Sequence, residues 1–208
     1  MQRFGYPFAI LAVAGSLAVA QSVVPVHQEP HHTPVFENAW VRVLDVRFQA
    51  GVESLYHRHA LHNVAIRITG GTTRADPIGG EGVPRYSPTG SVAFHSASPP
   101  YVHRVVNVGT APVHIVDVEL PGARPASDSH AADDIARHLV EIDNEHVRVS
   151  RVRLRPGEPL AAHAHPRGWL QLLVGGSKPG AFAWHEAGHQ ASIAAEATPI
   201  EVVEIEPK

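Results

Sequence analysis

The sequence contains no cysteine. The chain therefore has no disulfide bonds and no thiolate ligands, so a bound metal ion must be held by histidine, carboxylate, amide or water. A lipid anchor on a signal-peptide cysteine is excluded for the same reason. An exported protein can fold without disulfides, so the absence of cysteine is compatible with export.

The sequence also lacks a run of basic residues. Its 17 Lys and Arg residues against 20 Asp and Glu residues give a net charge of −3. Proteins that bind nucleic acid usually carry a basic patch. We therefore expect no nucleic-acid partner.

No apolar run approaches the roughly 20 residues of a membrane-spanning helix. Phe8 to Ala20 is shorter, follows Arg3, and ends in the small-residue sequence Ala18-Val19-Ala20. This pattern predicts a signal peptide over residues 1–20 and a periplasmic or secreted protein with no stable membrane insertion after cleavage. A retained membrane anchor is the alternative.

Histidine is abundant, with 16 residues, and four of these belong to an internal repeat. Gly51 precedes His57-Arg58-His59, and Gly157 precedes His163-Ala164-His165 at the same spacing. The repeat extends upstream from Asn38, Val41, Arg42, Val43, Val46 and Arg47 to Asn144, Val147, Arg148, Val149, Val152 and Arg153. Two copies of one unit predict a duplicated domain.

Short alternating apolar segments between Gly- and Pro-rich turns are typical of an all-β sandwich or barrel. We predict an extended arm or linker at residues 21–34, an N-terminal domain at 35–121, a linker at 122–139 and a C-terminal domain at 140–208. A short helix is predicted over Ala131 to Leu139 of the linker. His31 and His32 are expected to lie on the solvated arm.

The histidine pair His57 and His59 predicts a metal site. Side chains two residues apart on a strand lie on the same face, so both imidazoles point into one cavity. His103, on a later predicted strand, is the candidate third ligand. Three histidines that fill a barrel without metal are the alternative.

These residues resemble the cupin family. Gly51, His57, His59 and Gly70 fit the first cupin motif, G-x5-H-x-H-x3,4-E-x6-G, and His103 with Asn107 fits the H-x3-N that ends the second. The resemblance implies a bicupin, two tandem double-stranded β-helix (jelly-roll) barrels, with a metal in at least one.

The first copy departs from the motif, because Asn63 stands where the motif has glutamate. Asn63, or the adjacent His62, is therefore an uncertain fourth group beside the three histidines. Imidazole ligands suit Fe, Zn, Mn, Ni or Cu, so the identity of the divalent transition metal stays open.

The second copy departs further, since Trp169 replaces the glutamate and no histidine falls in register near the second motif. His163, His165 and His189 form a weaker candidate site. His185-Glu186-Ala187-Gly188-His189 is also an H-E-x-x-H string, which on a helix would bind zinc as in a metalloprotease. Gly188 inside the string disfavours a helix.

The family resemblance implies a metal-dependent dioxygenase acting on a small organic substrate. A non-catalytic sensor or binding protein for a small molecule or metal is the alternative, and a zinc protease is the third hypothesis.

Cupin barrels often pair through strand edges, which would give a homodimer. Five polar residues are candidate pocket-edge groups, but we expect them to be ordinary surface residues: Glu53, Arg58, Arg67, Arg74 and Tyr86.

Overall fold

A computed structural model describes residues 22–122 and 138–208 of the chain. The predicted signal peptide lies outside these ranges. Most of the helix predicted over Ala131 to Leu139 also lies outside them, and its last residue, Leu139, begins a β-strand instead. The described residues include no α-helix, and no helix among them is long and apolar enough to cross a membrane.

The described ranges form β-strands in two sets, each following the alternation of apolar and polar residues in the sequence. The first set is β1 (Val23–Pro25), β2 (His32–Glu37), β3 (Arg42–Phe48), β4 (Tyr56–His59), β5 (Asn63–Thr69), β6 (Gly71–Asp76), β7 (Arg85–Ser87), β8 (Val92–His95), β9 (Tyr101–Asn107) and β10 (Val113–Glu119). The second set is β11 (Leu139–Asp143), β12 (Val147–Leu154), β13 (Leu160–His163), β14 (Trp169–Leu173), β15 (Phe182–His185), β16 (Ala191–Ile193) and β17 (Ile200–Pro207).

The first set builds a barrel from two five-stranded sheets. Their strand orders are β2-β3-β10-β5-β8 and β1-β4-β9-β6-β7. Residues from both sheets line one interior cavity, which shows that the sheets face each other. Apolar side chains fill the adjoining interior: Val26, Leu44, Val46, Phe48, Val113 and Ile115.

The expected solvated arm is part of this barrel. β1 pairs in parallel with β4, the 3-10 turn Val26–Gln28 follows it, and β2 pairs with β3. Val26 and His32 are buried, since the segment closes one side of the barrel interior. The interpretation as a linker was therefore wrong from Val23 onward, because proline-rich extended chain pairs as readily at a sheet edge as it spans solvent.

The second set forms a smaller version of the same arrangement. Its larger sheet has the order β11-β12-β17-β14-β15, and its smaller sheet contains only β13 and β16. The division into two sets agrees with the predicted duplication. The domain boundaries at 121 and 140 stay predictions, since residues 123–137 lie outside the described ranges.

The two large sheets pack against each other through one shared apolar core. Along β5, every second side chain points into this core, and the side chains between them point into the interior of the first barrel. The side chains of β10 alternate in the same way. Burying each such aliphatic side chain contributes about 1.5 to 3 kcal/mol. The core contains Val41, Val43, Val64, Ile66, Ile68, Val116, Val118 and Leu120 from the first half and Val147, Val149, Leu170, Leu172, Val174, Val203 and Ile205 from the second.

The repeated sequence makes the same turns in both halves. The side-chain oxygen of Asn38 accepts hydrogen bonds from the amides of Trp40 and Val41. The oxygen of Asn144 does the same for His146 and Val147. Gly51 and Gly157 have φ of 75° and 78°, a left-handed conformation that glycine adopts without strain.

Candidate metal centre

Three histidines converge inside the first barrel. β4 carries His57 and His59 on one face, and β9 pairs with β4 so that His103 lies opposite His57. The ring centroids are 4.6 Å apart for His57 and His103, 5.0 Å for His59 and His103, and 5.1 Å for His57 and His59. One ring nitrogen from each residue lies within 4.8 Å of the others. The structure thus brings together the three residues singled out from the sequence.

The hydrogen bonds of this cluster leave ligand atoms free. Nδ1 of His57 donates to the carbonyl oxygen of Leu55 at 3.0 Å, so Nε2 carries the lone pair. Nε2 of His57 and Nε2 of His59 are both buried, and neither has a hydrogen-bond partner in the described part of the chain. Buried polar atoms are normally paired, so these two neighbouring nitrogens fit the role of metal ligands.

The environment keeps the three imidazoles neutral. Burial, with the neighbouring His32, lowers the pKa of His57 to about 4. Burial and the adjacent His103 lower the pKa of His59 to about 2, and burial and His57 lower the pKa of His103 to about 3. Neutral imidazole is the form that binds a metal ion. These residues fit a divalent transition metal.

Asn63 lies at this cluster, and His62 does not. Nδ2 of Asn63 is 3.4 Å from Nδ1 of His59. The ring of His62 points away from the cluster and stacks on His146 with centroids 3.9 Å apart. His62 precedes β5, which begins at Asn63. Of the two candidate fourth groups, only Asn63 therefore reaches the site.

Asn63 is held by a buried carboxylate. Its Nδ2 donates to both oxygens of Asp117, at 2.7 and 2.9 Å, which leaves Oδ1 of Asn63 buried without a partner among the described residues. Burial raises the pKa of Asp117 to about 7, against the opposing effect of the hydrogen bonds from Asn63. Asp117 was not identified from the sequence.

A carboxylate–histidine pair, Glu29 and His32, lies beside His57. The ring of His32 is 4.5 Å from that of His57, and Nδ1 of His32 is 2.5 Å from Oε2 of Glu29. Although burial favours the neutral acid, hydrogen bonds from His32 and His31 lower the pKa of Glu29 to about 2. The pairing of β1 with β4 places these residues here, and no local sequence pattern indicates it.

The cluster adjoins a partly open cavity in the first barrel. A cavity of about 300 Å³ is lined by His59, His103, Asn63 and Asp117, with His32 at its side. The ring of Tyr101 stacks on His59 at a centroid distance of 4.7 Å. Apolar side chains form much of the remaining wall: Val46, Phe48, Val105 and Ile115.

Known structures share this architecture. YhhW from Escherichia coli has a TM-score of 0.60 and 16% sequence identity, over 84% of this chain and 88% of that protein. A cupin 2 conserved barrel domain protein from Leptotrichia buccalis has a TM-score of 0.53 and 10% identity, over 84% of this chain and 87% of that one. The chain has the cupin fold.

A third cupin-fold structure, a salicylate 1,2-dioxygenase from Pseudaminobacter salicylatoxidans, has a TM-score of 0.56 and 12% identity, over 81% of this chain and 71% of that enzyme. At these identities the likeness shows the fold alone. No protein-family model matches the sequence, and no curated protein matches it.

The second cupin barrel contains a different cluster from the one predicted. His163 and His165 lie together, but their partners are His138 and Glu204, with ligand atoms within 4.8 Å of one another. Nε2 of His138 is 2.7 Å from a Glu204 oxygen, and the Nε2 atoms of His163 and His165 are each 3.1 Å from one. Glu204 projects inward from the central strand β17.

His189 is not a member of this cluster. It follows the turn at Ala187 and Gly188, and its ring stacks on His185 with centroids 5.2 Å apart. The turn bends the chain away before His189 can point at His163. Trp169, at the motif's glutamate position, is fully buried and lies 4.4 Å from the ring of His165.

Charge distinguishes the second cluster from the first. Although burial would raise it, hydrogen bonds from His138, His163 and His165 hold the pKa of Glu204 well below its usual range. Burial opposes protonation of His165, but hydrogen bonds to Glu204 and Glu206 raise its pKa to about 9. The second cluster therefore holds protons at neutral pH, and the first does not.

The H-E-x-x-H string does not form the helix that a zinc protease needs. His185 ends β15, and Ala187 and Gly188 form a turn. Oε1 of Glu186 accepts a hydrogen bond from the indole of Trp184 at 2.8 Å. The zinc-protease hypothesis was wrong because the string lies on a strand and a turn.

Proposed function

We propose that this cupin-fold protein binds a divalent transition metal at His57, His59 and His103 and acts as a mononuclear metal-dependent dioxygenase on a small organic substrate. One observation carries the proposal. The buried Nε2 atoms of His57 and His59, which have no hydrogen-bond partner in the described ranges, cluster with the neutral imidazole of His103 beside a cavity of about 300 Å³.

The residues of the first barrel support a site that is open to a substrate. His57, His59 and His103 would hold the metal through neutral imidazoles, and the ion would supply an undiminished positive charge for polarising a substrate oxygen. Val46, Phe48 and Ile115 give the cavity an apolar wall against which an organic substrate can pack. Oδ1 of Asn63, whose amide is fixed by Asp117, is available to accept a hydrogen bond from a substrate hydroxyl.

The test is oxygen consumption by metal-loaded protein with phenolic and diketone compounds. We expect uptake that is lost in His59→Ala and retained in the matched control His62→Ala, since His62 points away from the cavity. Bound metal without oxygen uptake for any compound would contradict the enzyme and support a binding or sensor protein.

We also propose a second metal ion in the second barrel, held by His138, His163, His165 and Glu204. Three histidines and one carboxylate would supply four protein ligands, the number that structural zinc sites use. Metal content of Glu204→Gln and His189→Ala tests the ligand set. We expect Glu204→Gln to lose the metal ion of the second barrel and His189→Ala to keep it. The reverse result would support the ligand set predicted from the sequence, which includes His189.

We propose export, because residues 1–20 have the composition of a signal peptide. Expression of the full chain in a bacterial host followed by N-terminal sequencing should give a protein that begins at Gln21. Recovery of an uncleaved chain from the membrane fraction would instead support a retained anchor.

A further inference from the structure

We propose that Arg67 forms an anion-binding subsite in the cavity of the first metal centre, so that the ligand of this protein is a carboxylate. The inference names the ligand class for the proposed site. Only the binding of the ligand's other end to the metal rests on the proposed function.

The side chain of Arg67 is placed in the cavity by strand alternation. On β5, Val64 and Ile66 point into the shared core, whereas Asn63, Ala65 and Arg67 line the cavity. Residues four apart on a strand are about 13 Å apart. Asn63 and Arg67 therefore stand at opposite ends of the space, with the histidine cluster beside Asn63.

The guanidinium of Arg67 lacks the partners that a buried cation requires. Nη2 donates to Oγ1 of Thr73 at 2.9 Å. Nη1 is buried and has no hydrogen-bond partner within residues 22–122 and 138–208. Burial lowers the pKa of Arg67, yet a guanidinium stays charged at neutral pH. An unpaired buried charge is costly, so the site is completed by an anion.

Other partly buried arginines of the first barrel have carboxylate partners. Arg42 pairs with Glu119 at 2.8 Å, Arg74 with Asp76 at 2.7 Å, and Arg104 with Asp76 at 3.1 Å. No carboxylate lies within 4.0 Å of the Arg67 nitrogens in the described chain, and Asp117, in the same cavity, is bound to Asn63 instead. Arg67 differs from these residues in facing empty space.

A second, outer cavity next to Arg67 gives a ligand a route from solvent to its side chain. Arg67, Thr73 and His95 also line an outer cavity of about 520 Å³ next to the first. Arg85 and Tyr86, on β7, line the outer cavity as well, and Arg85 adds positive charge along the entrance. A planar carboxylate fits the two parallel N–H donors of a guanidinium. The geometry thus favours a compact ligand with a carboxylate at Arg67 and a second oxygen near the histidines.

The experiment compares benzoate with benzamide, a neutral analogue of the same shape, by calorimetric or NMR titration. Metal-free and metal-loaded proteins are titrated, with metal content measured on the same samples. Wild-type protein should bind benzoate at least about tenfold more tightly than benzamide, as expected for a charge-assisted hydrogen bond. Arg67→Met should lose this preference, Arg67→Lys should keep part of it, and Arg58→Met, an exposed arginine on β4, should keep all of it.

Thermal unfolding of each variant checks that the fold is intact, and Arg67→Lys keeps the test decisive if Arg67→Met fails to fold. Equal affinity for the two compounds in wild-type protein, or an unchanged preference in Arg67→Met, would overturn the subsite. Selectivity that depends on Arg67 in protein that binds no metal would support the subsite and contradict the proposed function. Protein that binds metal but shows no preference for benzoate would contradict the subsite and leave the proposed metal site supported.

Discussion

His103 lies directly opposite His57 across the β4–β9 pair, and their ring centroids are 4.6 Å apart. The same register places Tyr101 opposite His59. A slip of one residue would turn His103 to the other face of the sheet. The candidate centre therefore depends on strand register as much as on the histidines themselves.

Asn63 and Asp117 are expected to act as a coupled pair. Asn63→Leu removes both hydrogen bonds to the buried Asp117 carboxylate, which should cost about 2 to 4 kcal/mol in the free energy of unfolding. The double variant with Asp117→Leu should recover most of that loss. Urea unfolding of the four proteins measures the coupling, and simply additive losses would contradict the pair.

The effect of Asn63→Leu should grow with pH. Burial raises the pKa of Asp117 to about 7, above its ordinary value of 3.8, so the folded state favours the neutral acid. Stability contributed by this group is full below about pH 4 and is lost as the pH rises through 7. Without Asn63, the ionised carboxylate of Asp117 also loses the two hydrogen bonds that stabilise it. We expect a larger destabilisation at pH 8 than at pH 5.

Asp76 should show the opposite pH dependence. Hydrogen bonds from Arg74, together with Gly82 and Arg104, lower the pKa of Asp76 to about 2 from 3.8. A lowered pKa gives stability that is present above about pH 4 and is lost as the pH falls toward 2. The stability of wild-type protein should fall over that range, while Asp76→Asn should be less stable at neutral pH and should lose less stability than wild-type protein between pH 4 and 2. Parallel curves would contradict this role.

The two proposed metal centres should respond differently to pH. His57, His59 and His103 have pKa values of about 4, 2 and 3, so metal affinity at the first centre should change little between pH 5 and 8. His165 has a pKa of about 9, so a metal must displace a proton from the second cluster. Affinity there should rise with pH up to about 9.

Calorimetry in buffers of different ionisation enthalpy measures the protons released. Glu204→Gln isolates the first centre, and His103→Ala isolates the second. We expect proton release near pH 7 only from the protein that keeps the second cluster. Equal release from both variants would show that the two environments do not differ as described.

Local patterns in the sequence predicted the features that depend on neighbouring residues. Strand alternation and the repeat indicated the all-β duplicated architecture and the shared face of His57 and His59. His62 and Asn63 show the limit of such patterns, because the sequence alone could not determine which of these two adjacent residues faces the cavity. The strand begins at Asn63 and decides it.

The features that depend on pairing between distant strands could not be predicted. Glu204 is one of three glutamates on β17, and only its place beside β12 and β14 directs it at His163 and His165. His32 and Glu29 reach the first centre because β1 adds to the edge of β4. Arg67 was interpreted as a surface residue, since nothing in its neighbours along the chain indicates that its side chain is enclosed.

The most direct test is the metal content of Glu204→Gln protein, in which only the first centre can remain, with and without His103→Ala. Our account predicts about one transition-metal ion per chain in Glu204→Gln and almost none in the double variant, with the β-sheet circular dichroism spectrum unchanged. Equal metal content in the two folded proteins would contradict the claim that His57, His59 and His103 hold one ion.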